Sequence, residues 1–188
     1  MPKEISDNRF FSVYIDVLNE TLNKTITVSR LTMQSIRGSK SRAVGRFAGV
    51  DVLPLELKPS GNCLFVSQDI HREDNKVIVE SCTYRFSRSD DPSDEEAWVF
   101  RYDYVRFAGN NHPHTHIHVN ANHRFTGQDL HHIHFPSARL SLEQLIAYLI
   151  LEHGVELLSG VNHDEAMRLL QRNHTEFMRR RTDHEVFP

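Results

Sequence analysis

WVFRYDYVRFAGNNHPHTHIHVN, residues 98–120, decides how the rest of the chain is read. Trp98, Phe100, Tyr102 and Tyr104 alternate with Val99, Arg101, Asp103 and Val105, the two-residue period of a strand with one apolar face. A loop containing Gly109, Asn110 and Asn111 separates this run from a second alternation. There His112, His114, His116, His118 and Asn120 fall on one face, and Pro113, Thr115, Ile117 and Val119 on the other. A third run, LHHIHF at 130–135, puts Ile133 and Phe135 on one face and His132 and His134 opposite. If both apolar sets point into a core, the histidines of both runs share the outer face with Arg101 and Asp103. That face then gathers at least five imidazoles, a guanidinium and a carboxylate.

Upstream, Leu64–Ile70 and Lys76–Phe86 also alternate, and HREDN between them is turn-like, so the pair reads as a hairpin. An acidic connection, SRSDDPSDEE, leads from it to Trp98. The expected sheet is therefore an antiparallel meander of about five strands. Before it, Phe11, Tyr14, Ile15, Leu18 and Leu22 recur at helical spacing, with Ser6 as a candidate cap. After it, Ser141 and Gln144 fit a capping box ahead of Leu142, Leu145, Ile146, Leu149 and Ile150, and Gly154 is placed to stop that helix. A last helix is expected from Asn162, with Glu165 in a second capping box and a stripe of Met167, Leu170, Phe177 and Met178. The segment 25–36 reads as either strand or helix. The pattern is α+β: one domain over residues 1–188, with an N-terminal helix, the sheet and two C-terminal helices. Residues 37–49, RGSKSRAVGRFAG, have the composition of a mobile basic loop, and 162–188 form the terminal helix and tail.

Composition narrows the function classes. A chain of 188 residues with 39% hydrophobic and 25% charged residues can build a core. No apolar run approaches the roughly 20 residues that cross a bilayer, and MPKEISDNRF lacks the apolar region of a secretory signal, so no membrane partner and a cytoplasmic location are expected. Cys63 and Cys82 lie in strand-like runs and read as reduced, buried thiols. A net charge of −3 gives no general attraction to nucleic acid. Histidine is the anomaly: of 13, eight lie from His112 to His134, while His71, His153, His163, His174 and His184 are scattered.

Three chemistries suit the histidine face. Histidines at i and i+2 are about 6.6 Å apart at a rise of about 3.3 Å per residue, so two of His114, His116 and His118 could share one ion with His132 or His134. Neutral imidazole suits zinc, copper, iron or nickel, which makes a divalent transition metal such as zinc the cofactor to expect. Imidazoles also serve as general acid and base near neutrality, and imidazolium with arginine holds phosphate. The plain alternatives are a solvated polar face on which histidine stands in for threonine or lysine, and a non-catalytic module that binds a metal, a partner protein or a phosphate group.

HTHIHV, residues 114–119, resembles the histidine-triad signature, with Thr115 departing from the apolar residue at that place. That resemblance implies a nucleotide hydrolase or transferase with His116 as nucleophile, flanked by His114 and His118. A longer stretch, about residues 64–155, resembles the toxin half of TumE-like bacterial toxin–antitoxin modules. It shares a hairpin such as LFVSQDI…VIVESCTYRF, then FRYDY, a loop, HPHTHIHV and a capped helix. This resemblance implies a growth-inhibiting toxin acting on RNA and neutralised by a cognate antitoxin. RNA cleavage suits the residue types: His114 and His116 for proton transfer, with His118 beside them, Arg101 for phosphate, and Asp103 to orient an imidazole. Arg37, Lys40, Arg42 and Arg46 would steer RNA from outside the matched region.

Overall fold

The computed structural model describes residues 7–36, 38–74, 76–107, 113–121, 130 and 133–180, excepting the side chains of Asn8 and of residues 177–180. The first element is helix α1, Asp7–Asn23. Its expected stripe of Phe11, Tyr14, Ile15, Leu18 and Leu22 is buried throughout, because a 3.6-residue period keeps those five positions on one side. Ser6 lies outside the described residues.

The described residues then form nine strands, all paired antiparallel, rather than the five expected: β1 (Thr32–Ser35), β2 (Arg42–Ala48), β3 (Asp51–Leu53), β4 (Leu55–Leu57), β5 (Asn62–Glu73), β6 (Lys76–Ser87), β7 (Trp98–Val105), β8 (Thr115–Val119) and β9 (Phe135–Pro136). The main order is β1-β2-β5-β6-β7-β8-β9, with β3 on β2 and β4 on β5. This is an α+β fold built on a β-meander. The hairpin of β5 and β6 is longer than its sequence pattern implied. His71, Arg72 and Glu73 belong to the strand, with Glu73 paired to Lys76, and Asp74 follows it at φ 53°.

The largest correction falls on residues 37–49. Instead of a mobile loop, Arg42–Ala48 is a strand hydrogen-bonded between β1 and β5, and Val44 is fully buried. The glycine-rich composition has a packing reason there. A Cβ on Gly45 would lie 2.8 Å from the carbonyl oxygen of Val66, so only glycine fits the approach of β2 to β5. The ambiguous segment 25–36 resolves into an irregular stretch with buried Thr25, Ile26 and Thr27, then β1.

Helices α2 (Leu142–His153) and α3 (His163–Arg180) close the fold. The capping box of Ser141 and Gln144 is present in both directions, and Gly154 ends α2 in the left-handed conformation its position requires. At α3, Glu165 donates its amide to the Asn162 carboxamide oxygen. Leu170 is buried and Met167 half-buried, while the side chains of Phe177 and Met178 lie outside the described set.

One face of the sheet packs against the helices. Tyr84, Phe86, Phe100, Tyr102 and Tyr104 join Phe11, Leu18, Leu145 and Leu149 in the core. Tyr84 and Tyr102, paired across β6 and β7, stack with centroids 5.7 Å apart. The Tyr102 hydroxyl accepts the Leu140 amide, anchoring the entry to α2, and burial pushes its phenol above the usual range. Cys63 and Cys82 are free and buried, and burial raises the Cys63 thiol. Among the described residues, no helix is long and apolar enough to cross a membrane.

A candidate metal centre on the open face of the sheet

Cross-strand partners share a face, so the pairing registers define what lies opposite the helices. Two parallel rows result. One runs Phe65, Arg85, Arg101, His118 from β5 to β8; the other runs Ser67, Thr83, Asp103, His116. The alternation read from the sequence survives here, since Tyr102 pairs with Ile117 on the helix side and Asp103 with His116 on this side. Ile117 is half-buried against the core rather than enclosed in it.

His134, just before β9, brings a third imidazole over the end of these rows. Its ring stacks on His116, centroids 4.5 Å apart and planes 11° apart, and meets His118 edge-on at 4.6 Å. His116 and His118 are themselves 4.9 Å apart at 76°. One ring nitrogen from each of the three lies within 4.8 Å of the others, so the group can hold a metal ion. The site is not the solvated surface the alternation suggested: His116 is 4% exposed and His118 6%, and only His134 reaches solvent freely.

Asp103 organises the floor. Its Oδ2 lies 3.7 Å from His116 Nε2 and 3.6 Å from His118 Nε2. The same oxygen accepts a 2.7 Å bond from Arg101 Nε, and Oδ1 accepts one of 2.7 Å from the Thr83 hydroxyl. Two donors fix the carboxylate in position, where it can serve as a further ligand or orient the imidazoles beside it. The donor chemistry fits a borderline ion: nitrogen ligands plus one carboxylate oxygen are the set that suits zinc.

The remaining sequence-derived candidates are placed elsewhere or lie outside the described residues. His114, ahead of β8, is exposed and bonds through Nδ1 to the carbonyl of Val105, apart from the three clustered rings. His112, His123, His131, His132 and His184 lie outside the described residues, as does Arg37. Arg42 and Arg46 alternate in step with Val44 and so fall on the helix side of β2, the opposite face from the histidines. Arg42 donates to the carbonyls of Lys40 and Ser41 and lies over the Phe11 ring at 5.7 Å; Arg46 donates to the Pro54 carbonyl at 2.7 Å. Lys40 is exposed in the turn before the strand. Of the three that are described, Lys40, Arg42 and Arg46, none is placed beside the imidazole cluster.

Two residues of this face were not singled out from sequence. Thr83 holds Asp103, and Arg85 pairs across the ladder with Arg101. Their signal was present in the polar alternation of Ser81, Thr83 and Arg85 along β6, but only the register of β6 on β7 says which residues they meet. Burial, then the neighbouring Arg101 charge, lower the pKa of Arg85. Comparison of the chain with protein-family models, curated proteins and solved structures found no match.

Proposed function

We propose that this chain is a phosphodiesterase acting on RNA, with a divalent transition metal, zinc foremost, held by His116, His118 and His134. What supports this reading above all is the convergence of three imidazoles within 4.8 Å at a largely buried position, beside a carboxylate and a guanidinium. Held by these three imidazoles, such an ion would supply an activated water and polarisation of a phosphoryl oxygen. The chain's own residues supply the rest. Asp103 orients His116 and His118, and Thr83 and Arg101 hold Asp103 in turn. Arg101, whose side chain is 42% exposed, keeps N–H donors for a substrate phosphate while its Nε stays on Asp103. The half-enclosed setting of the imidazoles strengthens every one of these interactions relative to open water.

The growth-inhibiting role, and a cognate antitoxin as partner, rest on the order of hairpin, FRYDY, HPHTHIHV and capped helix that this sequence has in common with TumE-like toxins. A second reading uses the same residues without metal. Asp103 sits within hydrogen-bonding reach, after a small closure, of two imidazole Nε2 atoms, an arrangement suited to general acid–base cleavage at the ribose 2′-OH.

The test is tag-free purification, elemental analysis and an RNA-cleavage assay before and after chelation. The expected outcome is close to one equivalent of metal, activity lost on chelation and restored by zinc, and both absent in His116→Ala. Zinc at about 100 times its Kd should stabilise the fold by about 2.7 kcal/mol. Full activity after chelation moves the assignment to acid–base catalysis. Absence of cleavage, together with absence of growth inhibition on induced expression, overturns the ribonuclease reading. Metal retained without turnover leaves a metal-binding module.

A further inference from the structure

The two rows that end at the imidazoles begin, three strands away on β5, at a cavity of about 260 Å³ lined by Asp51, Val52, Phe65, Ser67, Thr83, Arg85 and Pro92. Strands lie about 4.8 Å apart, so its centre is on the order of 10 Å from the histidines, with Arg101 and Asp103 between. This is too far for one phosphate group to reach both places. The cavity itself is ill suited to an anion, because Asp51 is in its wall. Its other walls are apolar (Val52, Phe65, Pro92) or carry hydroxyls (Ser67, Thr83), which suits a flat heteroaromatic ring with a few hydrogen-bonding edges. Arg85 completes the argument. Its guanidinium lies 4.0 Å over the Phe65 ring, and Nη1 donates to the Pro92 carbonyl, so the group is fixed as a plane. Its Nε is buried without a hydrogen-bond partner, a cost that a ligand acceptor would relieve.

We propose that this cavity is a nucleoside subsite: a base stacks on the Phe65–Arg85 platform while the attached phosphate lies toward Arg101. Bases stack readily on aromatic rings and on guanidinium planes, and every base has a face to offer. The ligand class is therefore a nucleoside monophosphate unit, either free or within a single-stranded RNA. The proposal deepens the phosphodiesterase reading by giving the site its substrate class, and it rests on that reading for the role of the bound unit.

The experiment is calorimetric titration of the full chain, zinc-supplemented, with inorganic phosphate, adenosine 5′-monophosphate and a short single-stranded oligoribonucleotide. Wild type should bind the mononucleotide about five- to a hundredfold more tightly than phosphate, the range expected of one stacked base. Ser67→Leu fills the cavity from the sheet and Val52→Phe fills it from β3; both should erase that preference while metal content and thermal melting stay as in wild type. Two cavity-filling variants from different walls guard against one failing to fold. If wild type binds the mononucleotide no better than phosphate, or if a folded cavity-filled variant keeps the preference, the subsite is wrong. If the oligoribonucleotide shows the same sensitivity to filling, the source is an RNA chain; if only the mononucleotide does, it is a free nucleotide, and both support the subsite. His116→Ala separates the two proposals: the preference should persist in it, so lost metal with intact base preference leaves the subsite standing even where hydrolysis is never observed.

Discussion

The basic segment 37–49 and the histidine strand β8 stand out equally in composition, yet they end in opposite conditions. The basic segment spends its charges locally. Arg42 and Arg46 donate to nearby backbone carbonyls on the helix side of β2, and Val44 between them is buried. The histidine strand does the reverse: His116 and His118 converge with His134 and with Asp103 on one face. The difference teaches that charge density alone does not identify a site. What counted was strict alternation on a strand whose neighbours carried complementary groups in the same rows.

Substitutions can break or sharpen that contrast. The largest expected effect is on catalysis. His116→Ala should lower RNA cleavage by about 10² to 10⁴, the range for losing a general acid, base or equivalent group, while Arg42→Ala stays within about twofold of wild type. Comparable losses in the two would erase the distinction drawn between the segments. Arg101→Ala should follow, with kcat down by about 10² to 10³ from lost charge stabilisation and a freed Asp103. Steady-state kinetics on one RNA substrate ranks all three.

Stability separates the faces next. Leu149→Ala removes a fully buried side chain and should cost about 2–5 kcal/mol by denaturant melting. Ile117→Ala, half-buried behind the histidines, should cost less than half of that. Equal losses would mean that the helix side of β8 is as tightly enclosed as the core. A further stability effect tests the basic segment as a strand. Gly45→Ala forces a Cβ against the Val66 carbonyl and should destabilise by about 1–3 kcal/mol. A neutral result would return residues 37–49 to the loop that their composition suggested.

Much of this organisation was legible from period alone. The helical spacing of Phe11 to Leu22, the two-residue alternation of Trp98–Val105 and of Thr115–Val119, and the capping box at Ser141 are local signals, and local signals are what sequence encodes directly. They determined the α+β class, the order of the principal elements and the face on which His116 and His118 lie. Tertiary structure decided the rest. Whether Arg42–Ala48 is a loop or a strand depends on β1 and β5 on either side of it, and a glycine- and arginine-rich run carries no period that declares those neighbours. Which histidines meet depends on register and on the path between β8 and β9: His134 arrives over His116 and His118, while His114, in the same alternation, bonds to the Val105 carbonyl at the sheet's end. Thr83 and Arg85 enter the face only because β6 pairs with β7 in a register that sets them opposite Asp103 and Arg101. Alternation assigns a side chain to a face at no cost in long-range information. Convergence of side chains from distant segments is set by the burial that selects one register among several, and that choice is a property of the packed molecule.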